Sequence, residues 1–417
     1  MRPLGYWHAR VQRGTQRWVW ALACTFIVTF GRFADATLSA TLGGVVQQGA
    51  PVKSGVFDVL TPLVRSFSIR GTDLPPTASS LGFVFRFDLE SGAYVRDVSP
   101  LGSIFVEPPQ TVGKGMLALG AAYQHAELDT FEGNDLAEQV TLRSSLSTSA
   151  ETIDVTLRFQ RLAVETDVVS LFGTYGITDR WDVSVLVPVR RTSIDVRAER
   201  IRRVTRDVPV SVSRQAIAAS DDATGVGDVL LRTKWQGRLK SLDLSLGLTV
   251  RGPSGNEDNF DGLGDWTVQP TLILGRSFGA YEVHANAGME LNTDDIERTR
   301  ARYGIGMSLQ PLRGFALVLD VLGSSSFVED GFEITSPNSI PVHSTFLQEF
   351  QSGPIRPTPA GYSRQASIPR TDLVDLGTGI KWNPASSAFV FVGALVPLTD
   401  DGLRPDVIPA AAVQVLF

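Results

Sequence analysis

Ionisable side chains recur at every second position along much of this 417-residue chain. Asp182 and Arg190 share one parity, as do Asp228, Arg232 and Lys234, Asp243 and Arg251, and Glu282, His284 and Glu290. Asp265, Arg300, Arg302, Asp320, Asp375 and Lys381 extend the same set. Side chains that share a parity share one face of a strand, so these groups are candidates to line an aqueous lumen. Two chemistries suit them. They can neutralise one another in a polar interior, or form a charged constriction that selects solutes. Both signs are present, so no strong ion preference follows.

Catalysis needs a nucleophile beside a base. His125 has Tyr123 and Glu127 two residues away, so the nucleophile is missing at that spacing. His284 stands beside Glu282 without an evident nucleophile, and His343 is expected in a loop. The glycine-rich runs 225–228 and 262–265 precede strands, whereas phosphate cradles lead into a helix. They read as a weak internal repeat. The acidic run 256–261 lacks a recognised calcium spacing. No catalytic residue, metal or cofactor is expected.

The elements that must position these groups follow from the apolar residues between them. Leu242, Leu244, Leu246, Leu248 and Val250 alternate with Asp243, Ser245, Gly247, Thr249 and Arg251, the pattern of a strand with two unlike faces. Twelve such strands are expected, at 116–126, 166–177, 181–190, 226–236, 241–251, 264–275, 280–292, 299–309, 314–323, 372–382, 388–398 and 408–417. Their lengths fit a tilted bilayer crossing better than a soluble sandwich. Short turns at 178–180, 237–240, 276–279, 310–313 and 383–387 separate longer connections at 127–165, 191–225, 252–263, 293–298, 324–371 and 399–407. Residues 153–159 alternate well, and read either as an extension of the second strand or as an additional strand. The outward parity collects Tyr175, Trp181, Trp235, Tyr281, Phe315 and Trp382 beside short turns, with Tyr123 and Trp266 at the other strand ends. Two aromatic girdles of this kind mark the two membrane interfaces. Phe417 ends the last strand and is expected to signal to the barrel-assembly machinery. The fold class is therefore an all-β, antiparallel, up-and-down transmembrane barrel of about twelve strands in the outer membrane of a Gram-negative cell, with lipid as its immediate partner.

Residues 1–36 have the form of a signal peptide: Arg2, His8, Arg10, Arg13 and Arg17, then an apolar run from Trp18 to Phe30, then Ala34-Asp35-Ala36. Cys24 is the sole cysteine, so the mature chain would have neither disulfide nor zinc thiolate. These 36 residues hold five arginines and one aspartate, so their loss takes the formal charge from −6 to −10, which argues against a nucleic-acid partner. Residues 37–113 are turn-rich, with a candidate hairpin over 82–87 and 93–95, and are expected to hang in the periplasm or to plug the barrel of residues 114–417. The apolar strip of Phe83, Phe85 and Phe87 needs burial, which favours the plug.

Several runs carry a family resemblance: Ser80-Leu81-Gly82-Phe83-Val84-Phe85-Arg86-Phe87, Leu101-Gly102-Ser103-Ile104-Phe105-Val106-Glu107 and Thr111-Val112-Gly113-Lys114-Gly115. Tyr175-Gly176-Ile177-Thr178-Asp179-Arg180-Trp181-Asp182-Val183 and Gly225-Val226-Gly227-Asp228-Val229 add to it. Together the chain resembles, over about residues 80–417, the transporter-like outer-membrane proteins grouped as "MetA-pathway of phenol degradation". The resemblance implies a porin-like channel for passive or gated transport of small aromatic or apolar solutes. A structural or surface-interaction barrel acting through its long external loops is the first alternative, and an outer-membrane enzyme the second.

Overall fold

The computed structural model describes residues 37–47, 74–79, 83–88, 93–98, 101–128, 130–131, 133–135, 141–147, 152–206, 210–239, 242–328, 330–335, 342–344, 363–368, 370–385 and 387–417. The expected signal peptide lies outside them.

Twelve strands form the barrel wall: β1 Leu117–Leu128, β2 Thr152–Thr178, β3 Trp181–Thr205, β4 Val229–Leu239, β5 Leu242–Gly252, β6 Thr267–Ser277, β7 Tyr281–Asn292, β8 Arg300–Leu312, β9 Phe315–Ser326, β10 Asp372–Ala385, β11 Ala388–Pro397 and β12 Ile408–Leu416. Each expected strand has its counterpart. Neighbours pair antiparallel in sequence order, and β12 returns to β1 with Ala412 opposite Ala122. Backbone bonds between Leu117 and Phe417 complete the seam at 3.1 and 2.8 Å. Closure leaves no edge whose unpaired amides would face hydrocarbon.

Parity follows the alternation. Leu246 is 54% exposed while its neighbour Ser245 is fully buried. Short turns bend back through residues with positive φ, at Gly279 (73°) and Gly314 (84°), where a side chain would be strained.

One open alternative is settled and one connection differs from expectation. Residues 153–159 belong to a 27-residue β2, so they extend that strand. The stretch 191–225 is a hairpin rather than a loop: β3 continues to Thr205 and pairs with a strand over Ser211–Val226. Within 127–165, Thr141–Ser147 pairs with the same extension of β2. His343, expected in a loop, lies in the short strand Val342–Ser344. The expected hairpin is present as Phe83–Asp88 against Ala93–Val98, while the side chains of Phe83, Phe85 and Phe87 lie outside the described residues.

Among the described residues one α-helix, α1 Leu38–Gln47, packs at the long-hairpin end. Leu38, Leu42 and Val45 join Leu157, Phe159, Val164, Ile194, Val196 and Ile217 in one apolar cluster. The sequence of α1 contains Gly43-Gly44, a poor helix former, so its helicity rests on this packing.

Candidate functional site: the barrel interior

Residues 101–113 cross the interior near the short-turn end, held by side chains from many strands. Lys381 Nζ donates to the Gly102 carbonyl at 2.7 Å, and Gly102 N donates to Ser308 Oγ at 2.8 Å. Asp320 accepts from Ser103 Oγ and from the amides of Ile104 (3.4 Å) and Phe105 (3.2 Å). His284 Nε2 lies 3.2 Å from the Val106 carbonyl. Ser245 Oγ donates to the Pro109 carbonyl, Gln110 Nε2 to Glu282 (2.9 Å), and Val112 N to Asp182 (3.0 Å). Seven in-facing groups from six strands are thus spent on one stretch, whose backbone has no regular partner of its own and needs them.

Residues 74–79 lie beside it, joined by Ala78 N to the Ile104 carbonyl at 2.6 Å. Glu107 binds the two stretches together. It accepts from Ser79 N at 2.7 Å and from Lys234 Nζ at 2.7 Å. Burial opposes ionisation of Glu107, but Lys234 and Arg232 outweigh it and hold the carboxyl below its ordinary range. Arg232 donates to the Thr77 carbonyl at 2.8 Å.

The remaining expected interior residues sort by height. Asp228 accepts from Gly255 N (3.0 Å) and Leu263 N (2.9 Å), so one carboxylate ties the two glycine-rich runs together. Arg302 pairs with Glu290 at 2.8 Å, and Arg404 with Asp375 at 2.8 Å. Asp265 takes Asn292 Nδ2 at 2.9 Å and also meets Arg298. Arg190 and Arg251 are buried, whereas Asp243 and Arg300 are half-buried. Above 101–113 a cavity of about 170 Å³ remains, reached by Leu230, Arg251, Ile273, Asn286 and Leu322.

Sequence reasoning missed Glu107, Arg404 and the uncharged binders Gln110, Gln236, Ser308 and Gln414. Gln236, Ser308 and Gln414 do sit on the inward parity and are buried, so parity without charge was their signal. It also missed the ledge under α1: Asn259 Oδ1 accepts from Leu38 N (3.3 Å), and Asp258 Oδ1 from Ser39 Oγ (3.0 Å). Those oxygens in the acidic run 256–261 serve the helix.

Outside, Tyr123, Tyr175, Trp181, Trp235, Trp266, Tyr281, Phe315 and Trp382 are all exposed, and Phe315 stacks on Trp382 with centroids 6.1 Å apart. His125 lies 2.9 Å from Asp167, which also accepts from Tyr123 Oη at 2.6 Å.

A closed barrel with an apolar outer belt and long hairpins at one end only is an outer-membrane barrel. The family model described as MetA-pathway of phenol degradation matches residues 145–310, in line with the resemblance read from the motifs. The chain is similar in structure to an outer membrane channel from Pseudomonas putida F1, with 13% identity and a TM-score of 0.43 over 73% of this chain and 96% of that one. It is similar also to a FadL homologue of Pseudomonas aeruginosa (9% identity, TM-score 0.34, 73% and 90% covered). The P. putida toluene transporter TodX is a further match (10%, 0.32, 75% and 92%). No curated protein matches the sequence.

Proposed function

We propose that this barrel is an uptake channel, passive or gated, for small aromatic or apolar molecules, with residues 37–113 restricting the passage. The cavity carries the reading. Its volume of about 170 Å³ is close to the roughly 150 Å³ of an engineered apolar cavity that takes up benzene. The stretch closing it toward the short-turn end is held by hydrogen bonds, by the Lys234–Glu107 ion pair, and by Ile104, Phe105 and Val112 packed in an apolar cluster with Phe172, Phe389 and Phe391. The matched family's description, phenol degradation, fits a solute of this size. Phe417, at the end of the closing strand, fits recognition by the barrel-assembly machinery.

Conductance across a planar bilayer tests this. The full chain should conduct weakly, and deletion of 37–113 should raise ion conductance while blurring any preference for aromatic solutes. A deletion variant that folds, inserts and conducts as the full chain does would refute the restriction. A surface-recognition role draws support from one observation, the long β2–β3 hairpin beyond the membrane. It gains ground if liposomes bearing either form admit no aromatic solute.

A further inference from the structure

The charged groups around the cavity are matched, with one exception. Glu107 lies 2.7 Å from Lys234, Glu290 2.8 Å from Arg302, and Asp375 2.8 Å from Arg404. Arg232 has the Thr77 carbonyl at 2.8 Å. Arg251 is only 9% exposed, and among the described residues its guanidinium has no hydrogen-bond or ion-pair partner. It borders both the 170 Å³ cavity and a smaller one of about 40 Å³ beyond it. Its charged neighbours do little to satisfy it. Arg190 and Arg232 are close enough to repel it. In the smaller cavity, Asp228 is engaged by two backbone amides, and Asp261 faces Arg190.

A guanidinium this buried and without a protein acceptor is costly unless an acceptor in the cavity, water or an anion, meets it. Asp375 is taken by Arg404, so around the cavity Arg232, Lys234, Arg251 and Arg302 face Glu107 and Glu290, and positive charge is in excess there. The guanidinium fork matches a carboxylate through two parallel hydrogen bonds. Leu230, Ile273 and Leu322 offer apolar wall within the same cavity.

We propose that this cavity binds a single-ring aromatic carboxylate, with the ring against Leu230 and Ile273 and the carboxylate on the fork of Arg251. This deepens the channel reading and rests on it, since it names the solute class for the same cavity.

Calorimetric titration of the purified full chain in detergent tests it, with benzoate and benzyl alcohol as matched probes. Wild type should bind benzoate at least tenfold more tightly than benzyl alcohol. Arg251→Gln should remove that preference without weakening benzyl alcohol, and Arg251→Lys should keep part of it. Heat-modifiable gel mobility reports whether each variant is folded; if the Gln variant is not, the comparison of the two probes on wild type and the Lys variant decides. Equal affinity of wild type for the two probes, or equal loss of both in Arg251→Gln, would overturn the proposal. Uptake of benzyl alcohol into liposomes bearing the protein is read separately. Passage of benzyl alcohol without a benzoate preference leaves the channel standing and sinks the anion site, whereas failure of any solute to enter sinks the channel.

Discussion

The lower and upper halves of β3 follow one parity and opposite chemistry. Below Arg190, odd residues of β3 face out and are apolar: Trp181, Val183, Val185, Val187 and Val189, with Asp182 and Ser184 facing in. Above it, the even residues still face in, but now they are Ile194, Val196 and Ala198, all buried, while Arg191 and Arg197 lie outside with 64% of their side chains exposed. β2 reaches the same arrangement through a bulge between Phe159 and Arg161: Val169 and Leu171 are exposed and Val164 is buried, and past the bulge the odd residues Phe159 and Leu157 are the buried ones. β3 itself does not turn over at this level. What changes is the medium: lipid rewards apolar side chains on the outside, and water rewards them on the inside, where α1 supplies a core to bury against. The upper half is therefore held like a soluble sandwich and the lower half like a membrane protein.

The largest effect expected from this contrast is in the upper half. Phe159→Ala should destabilise the extension by about 3–5 kcal/mol, the usual loss for a fully buried phenylalanine. Hydrogen exchange should show residues 152–165 deprotected while the membrane-level amides stay protected; uniform deprotection would mean the halves fold as one unit. Next comes the lower half. Leu246→Arg, near the middle of β5, should cost about 2–4 kcal/mol in refolding from urea, whereas the opposite exchange, Arg197→Leu on the outer face of the extension, should shift stability by under about 0.5 kcal/mol. Similar penalties at both positions would place Arg197 in lipid and move the boundary.

The smallest expected effect concerns the loop that bridges the two halves. Burial, together with the nearby carboxylate of Asp228 and against the pull of Arg190, raises the Asp261 carboxyl to about 7. The folded loop thus prefers the protonated acid. Its stabilisation is complete below the ordinary carboxylate range near 3.8 and fades as pH climbs through about 7. Protease should cut within residues 253–266 faster at pH 8 than at pH 5, and Asp261→Asn should flatten that dependence. Cutting that slows at higher pH would reverse the assignment.

How much of this the sequence carried follows from the same boundary. All twelve crossings were legible because one face of each meets lipid and period-2 contrast is strong there. The extension was partly hidden. In 191–205 the inward Ile194, Val196 and Ala198 alternate with charges, but Arg202 and Arg203 break the rhythm near the tip, and a charge-rich run reads as loop. The helix α1 was not legible, since its apolar face has meaning only once the extension exists to receive it. The interior set of charges was visible by parity, but their partners were not: the stretch 101–113 is a backbone acceptor and donor for them, and no local pattern announces that role.

The seam between β1 and β12 has a consequence for the order of events. Gln414, on the last strand, donates to the Ser79 carbonyl 335 residues away, and Thr174 reaches the same oxygen at 2.7 Å. The interior stretch therefore touches both the β2–β3 hairpin and the strand that shuts the ring. Entry after shutting would require α1, packed at the far mouth, to be unfolded and drawn through the lumen. Shutting the ring around a stretch already in place requires neither. Closure then resembles casting around a mould, with the ring sealed about a tenant already in place.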